Sequence, residues 1–157
     1  ASRKAAAPSV GGESNAPKKA KVENLRKLSM CVCTDANNQT AAAASQTAIT
    51  FATEVIDTDG YHSTSSNQSR FVAPVAGLYL VHARATASGD CAAPRIYVDG
   101  SATVPPIIDG GVSASPIATA LIYLNASQYV EFSLKGSSSD RTINPSFFAI
   151  VLLSGGA

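Results

Sequence analysis

Phe71-Val72-Ala73-Pro74-Val75-Ala76-Gly77-Leu78-Tyr79-Leu80-Val81-His82-Ala83-Arg84-Ala85 is the stretch on which the reading of this chain turns. Pro74 has no amide hydrogen to give to a ladder, so a short strand over residues 71–73 ends there. Gly77 opens the next segment, where a missing Cβ permits a close backbone approach or a positive φ. From Gly77 to Ala87 the chain splits into two sets. Leu78, Leu80, His82 and Arg84 fall on one face and Tyr79, Val81, Ala83 and Ala85 on the other. A period of two sustained this long is a strand.

The same period recurs on both sides. Strands are expected over residues 28–33, 48–55 (with Ile49, Phe51 and Val55 alternating), 95–98, 117–124, 129–134 and 146–153. Turn chemistry separates them: Asp57-Thr58-Asp59-Gly60, the polar run 63–69, Ser88-Gly89-Asp90, and Asp99-Gly100 as a hairpin turn. Residues 101–115, with Pro105-Pro106 and Gly110-Gly111, read as irregular or edge structure. Helical periodicity is nearly absent from the body. The expected fold is an all-β antiparallel sandwich with no internal repeat and no second domain.

The length of 157 residues allows one such domain plus a tail. The boundary is drawn at residue 27, with a basic Ala/Pro/Lys-rich arm over 1–27 and the sandwich over 28–157. Residues 1–30 hold seven basic against two acidic residues, a net of +5, and the remainder holds five against nine, a net of −4. A basic arm on an acidic body is a two-part molecule. Ala, Pro, Gly, Ser and Lys dominate residues 1–20, and such a segment orders only against a partner. Val22, Leu25 and Leu28 recur every third residue, as in a short amphipathic helix or the lead-in to the first strand.

Other chemistry finds little support. The odd cysteine count (Cys31, Cys33, Cys91) argues against a disulfide framework, and Cys31 and Cys33 share one strand face. Buried free thiols in a reducing cytoplasm are expected. His62, His82 and many serines are present, but the Gly-x-Ser-x-Gly elbow is not, so no catalytic residue, cofactor or metal site is assigned. Asp57, Asp59 and Asp90 are calcium candidates, although Asp57-x-Asp59-Gly60 lacks the later ligands of an EF-hand and reads better as a turn held by its own side chains. Sequons at Asn38, Asn67 and Asn125 carry little weight in a Ser/Thr-rich chain. The basic start is not followed by an apolar run, so no secretory leader is expected, and the longest apolar run, 147–153, is too short to span a bilayer.

Phe71, Gly77 and Tyr79 also carry a resemblance. Their spacing is similar to the signature of the globular head of complement C1q, a member of the tumour-necrosis-factor-like jelly rolls. Phe51 six positions before Asp57, Leu124-Asn125 before Tyr129-Val130-Glu131-Phe132, and Ser146-Phe147-Phe148 before an aliphatic run fit the same pattern in order. The resemblance covers residues 47–153. It departs where His62 stands near the place of an aromatic, two residues further from Phe71 than in the pattern, and where Val81 and Ala83 replace aromatics. No collagen-like stalk is present. Residues 56–70 also resemble versions of this domain in bacteriophage and other viral structural proteins.

The resemblance implies a homotrimer in which sheet residues pack around a threefold axis. Core and trimer packing then fall to Phe51, Phe71, Gly77, Tyr79, Phe147 and Phe148. The expected role is a virion structural protein, made in the host cytoplasm, that decorates or helps to build a capsid, with no membrane partner. Arg3, Lys4, Lys18, Lys19, Lys21, Arg26 and Lys27 would anchor it to neighbouring capsid subunits. The rival role is the main coat protein of a very small virus, whose arm contacts packaged nucleic acid through phosphates. A third is a complement-type ligand-binding head.

Overall fold

The computed structural model describes residues 28–102, 108–109 and 111–155. The arm over 1–27, with all seven of its named basic residues, lies outside the described residues, as do Pro105, Pro106 and Gly110.

The strands are β1 (Met30–Asp35), β2 (Gln39–Ala41), β3 (Thr47–Ala48), β4 (Thr53–Asp57), β5 (Phe71–Val72), β6 (Gly77–Ala87), β7 (Cys91–Val98), β8 (Ile108–Asp109), β9 (Ile117–Leu124), β10 (Tyr129–Gly136) and β11 (Arg141–Gly155). They form two antiparallel sheets packed face to face, the jelly-roll arrangement that the alternation implies. The larger runs β4-β1-β11-β6-β9-β8, with β2 also on β11. In the smaller sheet β10 pairs with β3, β5 and β7. Strand β6 lies between β11 and β9, and its inward residues Tyr79, Val81, Ala83 and Ala85 are buried.

Several expected boundaries shift for physical reasons. The first strand starts at Met30 and runs on to Asp35, which pairs with Ser146 and accepts from the Asn37 amide. The strand expected over 48–55 is broken. Ile49 and Phe51 are buried between β3 and β4, where their amides donate to the carbonyls of Phe132 and Gln68. Val55 is not on their face: it sits where the β1–β4 register shifts, and it is exposed. Strand β7 begins at Cys91, four residues before its expected start, because Ala93 (φ 48°) and Pro94 fall at a register shift where no ladder amide is needed. Strand β11 extends well beyond 146–153 at its N-terminal end, where it also holds the unforeseen β2.

The motif residues meet in the core. The Phe71 and Phe148 rings stack at 3.8 Å, and Phe51 packs edge-on against both. Tyr79 is buried edge-to-face with Tyr61, and its hydroxyl donates to the Val75 carbonyl at 2.5 Å. Phe147 does not join this core. It follows a buried Ser146 and precedes a buried Phe148, so alternation turns it outward, half-buried on the opposite face of the sheet. Gly77 is required by close approach to β11 rather than by φ.

Two turns behave as their residues dictate. Asp57 Oδ1 accepts from the amides of Asp59, Gly60 and Tyr61, and Oδ2 accepts from that of His62. Asp99 and Gly100 both have positive φ (49° and 74°), and Val98 and Ser101 exchange both backbone hydrogen bonds across them. That is the I′ hairpin geometry.

Candidate assembly face

The larger sheet has one face in the core and one face outside. Its outward positions follow from the alternation: Met30, Val32 and Thr34 on β1; Phe147, Ala149 and Val151 on β11; Leu78, Leu80, His82 and Arg84 on β6; Ile117, Thr119, Leu121 and Tyr123 on β9. The register lays them in rows. Met30, Val151, Leu80 and Leu121 form one, and Ile56, Val32, Ala149, His82 and Thr119 the next.

An antiparallel sheet with a solvated face normally turns polar side chains to water. Here the rows are mostly aliphatic. Leu80 is 38% exposed, Leu121 43% and Tyr123 60%. Scattered apolar residues on a surface are ordinary, but a contiguous sheet of them marks an interaction surface. At one end of the face, Thr34, Arg84, Thr86, Pro145 and Phe147 line a groove of about 430 Å³, so a covering surface would need a shape to match.

His82 stands within this band. Its Nδ1 lies 2.8 Å from Thr119 Oγ1, and its ring is tilted against Phe147 at 6.0 Å. Arg84 follows two residues along the same face. Of the residues assigned from sequence to core and trimer packing, Phe51, Phe71, Tyr79 and Phe148 are core, Gly77 sets the strand contact, and Phe147 alone reaches this face. Leu80, Leu121, Tyr123 and His82 carry no site assignment from sequence. The signal for them was there, since the face of β6 opposite Tyr79 begins with two leucines where a solvated strand would place polar residues.

The other candidates are structural. The Asp57 carboxylate is taken up by backbone amides, and no group of three or more His, Cys, Asp and Glu that could hold a metal occurs among the described residues. His62 stacks on Phe71 at 4.5 Å, and its two ring nitrogens lie within hydrogen-bond distance of the Phe51 and Arg70 carbonyls. All three cysteines are buried and unbridged, with the Sγ atoms of Cys31 and Cys33 3.5 Å apart. No helix among the described residues is long and apolar enough to cross a membrane.

Burial shifts several ionisations upward. Tyr61 is pushed up to about 12, mainly by burial, against a hydrogen bond with Ser29 that lowers it. Burial also raises Tyr79 and Cys91, while Cys31 is raised by its contact with Cys33 and then by burial. In the unfolded chain, tyrosines ionise at about 10. The folded state therefore keeps neutral what the unfolded state ionises. The tyrosine contribution is full below about pH 10 and is lost as pH climbs toward the folded value, and the buried cysteines, whose unfolded thiols ionise at about 8.5, begin the loss earlier. A denaturant midpoint followed by circular dichroism should fall over that range, and less steeply in Tyr61→Phe. A midpoint that stays level would contradict the burial.

The fold is that of the C1q and tumour-necrosis-factor-like jelly rolls. The globular domain of zebrafish complement 1qA protein superposes with a TM-score of 0.60 at 16% identity, over 81% of this chain and 98% of that one. The Eiger TNF of S. frugiperda superposes with a TM-score of 0.51 at 12% identity, over 83% of this chain and 95% of that one. No protein-family model matches the chain, and neither does any curated protein sequence.

Proposed function

We propose that this chain is a self-assembling structural protein. It is a homotrimer closed through the outer face of the larger sheet, and it serves as a virion component that decorates or helps to build a capsid. The observation that carries the assembly reading is the apolar face itself, with Leu80, Leu121 and Tyr123 exposed in one continuous band. Burying apolar surface of this kind favours association. The trimer is the arrangement that the sequence resemblance implies. Virion placement rests on the resemblance of residues 56–70 to viral versions of the domain and on the basic arm ahead of an acidic body. The role is binding and assembly rather than catalysis.

Two readings of the arm follow from its +5 charge. It anchors the trimer to neighbouring acidic subunits, or it neutralises packaged nucleic acid, in which case the chain is the main coat protein. Light scattering on the full-length chain decides the first question. A particle of three times 16.0 kDa supports a trimeric capsid component, a closed shell of many copies supports the main coat protein, and a monomer overturns both. Deleting residues 1–27 decides the second. If the arm contacts the genome, nucleic-acid affinity drops and its salt dependence flattens, whereas an unchanged salt slope refutes that contact.

A further inference from the structure

We propose that His82 makes the association of copies through this face pH-dependent, holding the assembly together near neutral pH and releasing it in mildly acidic solution. The inference rests on the assembly reading above and names its regulation.

His82 occupies an outward position on β6, between β11 and β9. Beside it on β11 stands Ala149, flanked by Phe147 and Val151, none of which ionises. On β9 it faces Thr119, with Ile117 and Leu121 either side and the phenol of Tyr123 further along. Beyond β11, β1 places Val32 in the same row, and β4 ends that row with Ile56. Asp109 on β8 pairs with Ala118 and so falls in the neighbouring row, and Glu54 on β4 pairs with Cys33, likewise outside the His82 row. Arg84 lies on the same face of β6 and lines the groove at its end together with Asp35, while Arg141 stands at the far end of β11, paired with Ala41. No carboxylate stands in the His82 row to pair with an imidazolium.

In an isolated chain the partly buried ring is reached by water. When a second copy covers the band, water is removed from around His82 while its neighbours remain aliphatic. The charged ring then loses its hydration with no counter-ion in its own row to replace it, and Arg84 adds like charge. The neutral ring loses little, because Thr119 Oγ1 stays within hydrogen-bond distance of Nδ1. The covered state therefore favours neutral His82, so association is at full strength above the range in which imidazoles protonate and weakens as pH falls through it.

The magnitude follows from the copy number. Free imidazoles protonate at about pH 6.5, and each one held neutral a pH unit lower weakens association about tenfold. Three per trimer give about a thousandfold near pH 5.5. The test is sedimentation of the full-length chain at about pH 8 and about pH 5.5, with circular dichroism at both, for wild type, His82→Gln and His82→Leu. The expected result is a wild-type trimer at the higher pH that gives folded monomer at the lower one. Either variant should remain trimeric at both. Equal weakening of wild type and variants, a wild-type trimer indifferent to pH, or acid release caused by unfolding would each overturn the role of His82. A wild-type monomer at about pH 8 would instead defeat the assembly reading beneath it, and the two failures are therefore distinguishable.

Discussion

Gly77→Val is expected to leave little folded protein. A Cβ built on Gly77 would lie 2.5 Å from the Ser154 carbonyl oxygen, 2.6 Å from Leu152 Cδ1 and 3.1 Å from the Gly155 Cα. Two of those three contacts are backbone, so no rotamer change relieves them. On the other side, Gly77 pairs with Leu124 of β9, so β6 cannot move away without opening that ladder. A β-branched side chain adds a second and third clash to the first. Overpacking a core position costs about 1–3 kcal/mol, and forcing β6 apart from the end of β11 raises the loss to about 4 kcal/mol or more. For a domain of this size that is a large part of the whole stability. Because the chain has no tryptophan, circular dichroism is the suitable probe of the denaturant midpoint. Gly60→Ala is the matched control: nothing lies within 4 Å of its Cβ, but φ is +74°. It should cost about 1 kcal/mol through backbone strain alone. A Gly77→Val midpoint no lower than that of Gly60→Ala would show that the β6–β11 contact is looser than described.

The same glycine illustrates how much the sequence discloses. Its place at the start of a long alternating strand was legible, because period two and a preceding proline are local signals. Its reason was not, since a close approach depends on which strand pairs with β6, and that strand is β11, far along the chain. Phe51, Phe71 and Phe148 were assigned to packing through the resemblance to a known family, and their mutual stacking was not legible, for the second reason. Local signals also misled. Pro94 looked like the boundary of a strand that in fact continues to Cys91, because a register shift removes the need for its amide. Phe147 and Phe148 looked equivalent by composition, yet adjacent residues in a strand face opposite ways. The alternation that identifies β6 already holds the candidate assembly face in its other half. Leu78 and Leu80 belong to the half that faces away from the core.

Leu80→Glu combined with Leu121→Glu is expected to give a folded monomer that does not associate. The two residues are cross-strand partners on β6 and β9, 38% and 43% exposed, and outside the core cluster. In the isolated chain both carboxylates reach water, so the cost to folding is small, about 0.2–1 kcal/mol from like charges placed opposite each other. Covering the face with a second copy is different. Each carboxylate would be desolvated against aliphatic neighbours, at several kcal/mol per ion without a partner. A trimer would contain six, so association should weaken by more than about four orders of magnitude, since each 1.4 kcal/mol is about a factor of ten. The comparison variant is Val72→Glu on β5, 38% exposed like Leu80 but on the smaller sheet, and it should leave the trimer intact. Light scattering reads the mass and circular dichroism the fold. A double variant that remains trimeric would place the interface elsewhere. One that unfolds would mean that these leucines belong to the core of the monomer, and a Val72→Glu chain that also dissociates would mean that acidity, rather than this face, governs assembly.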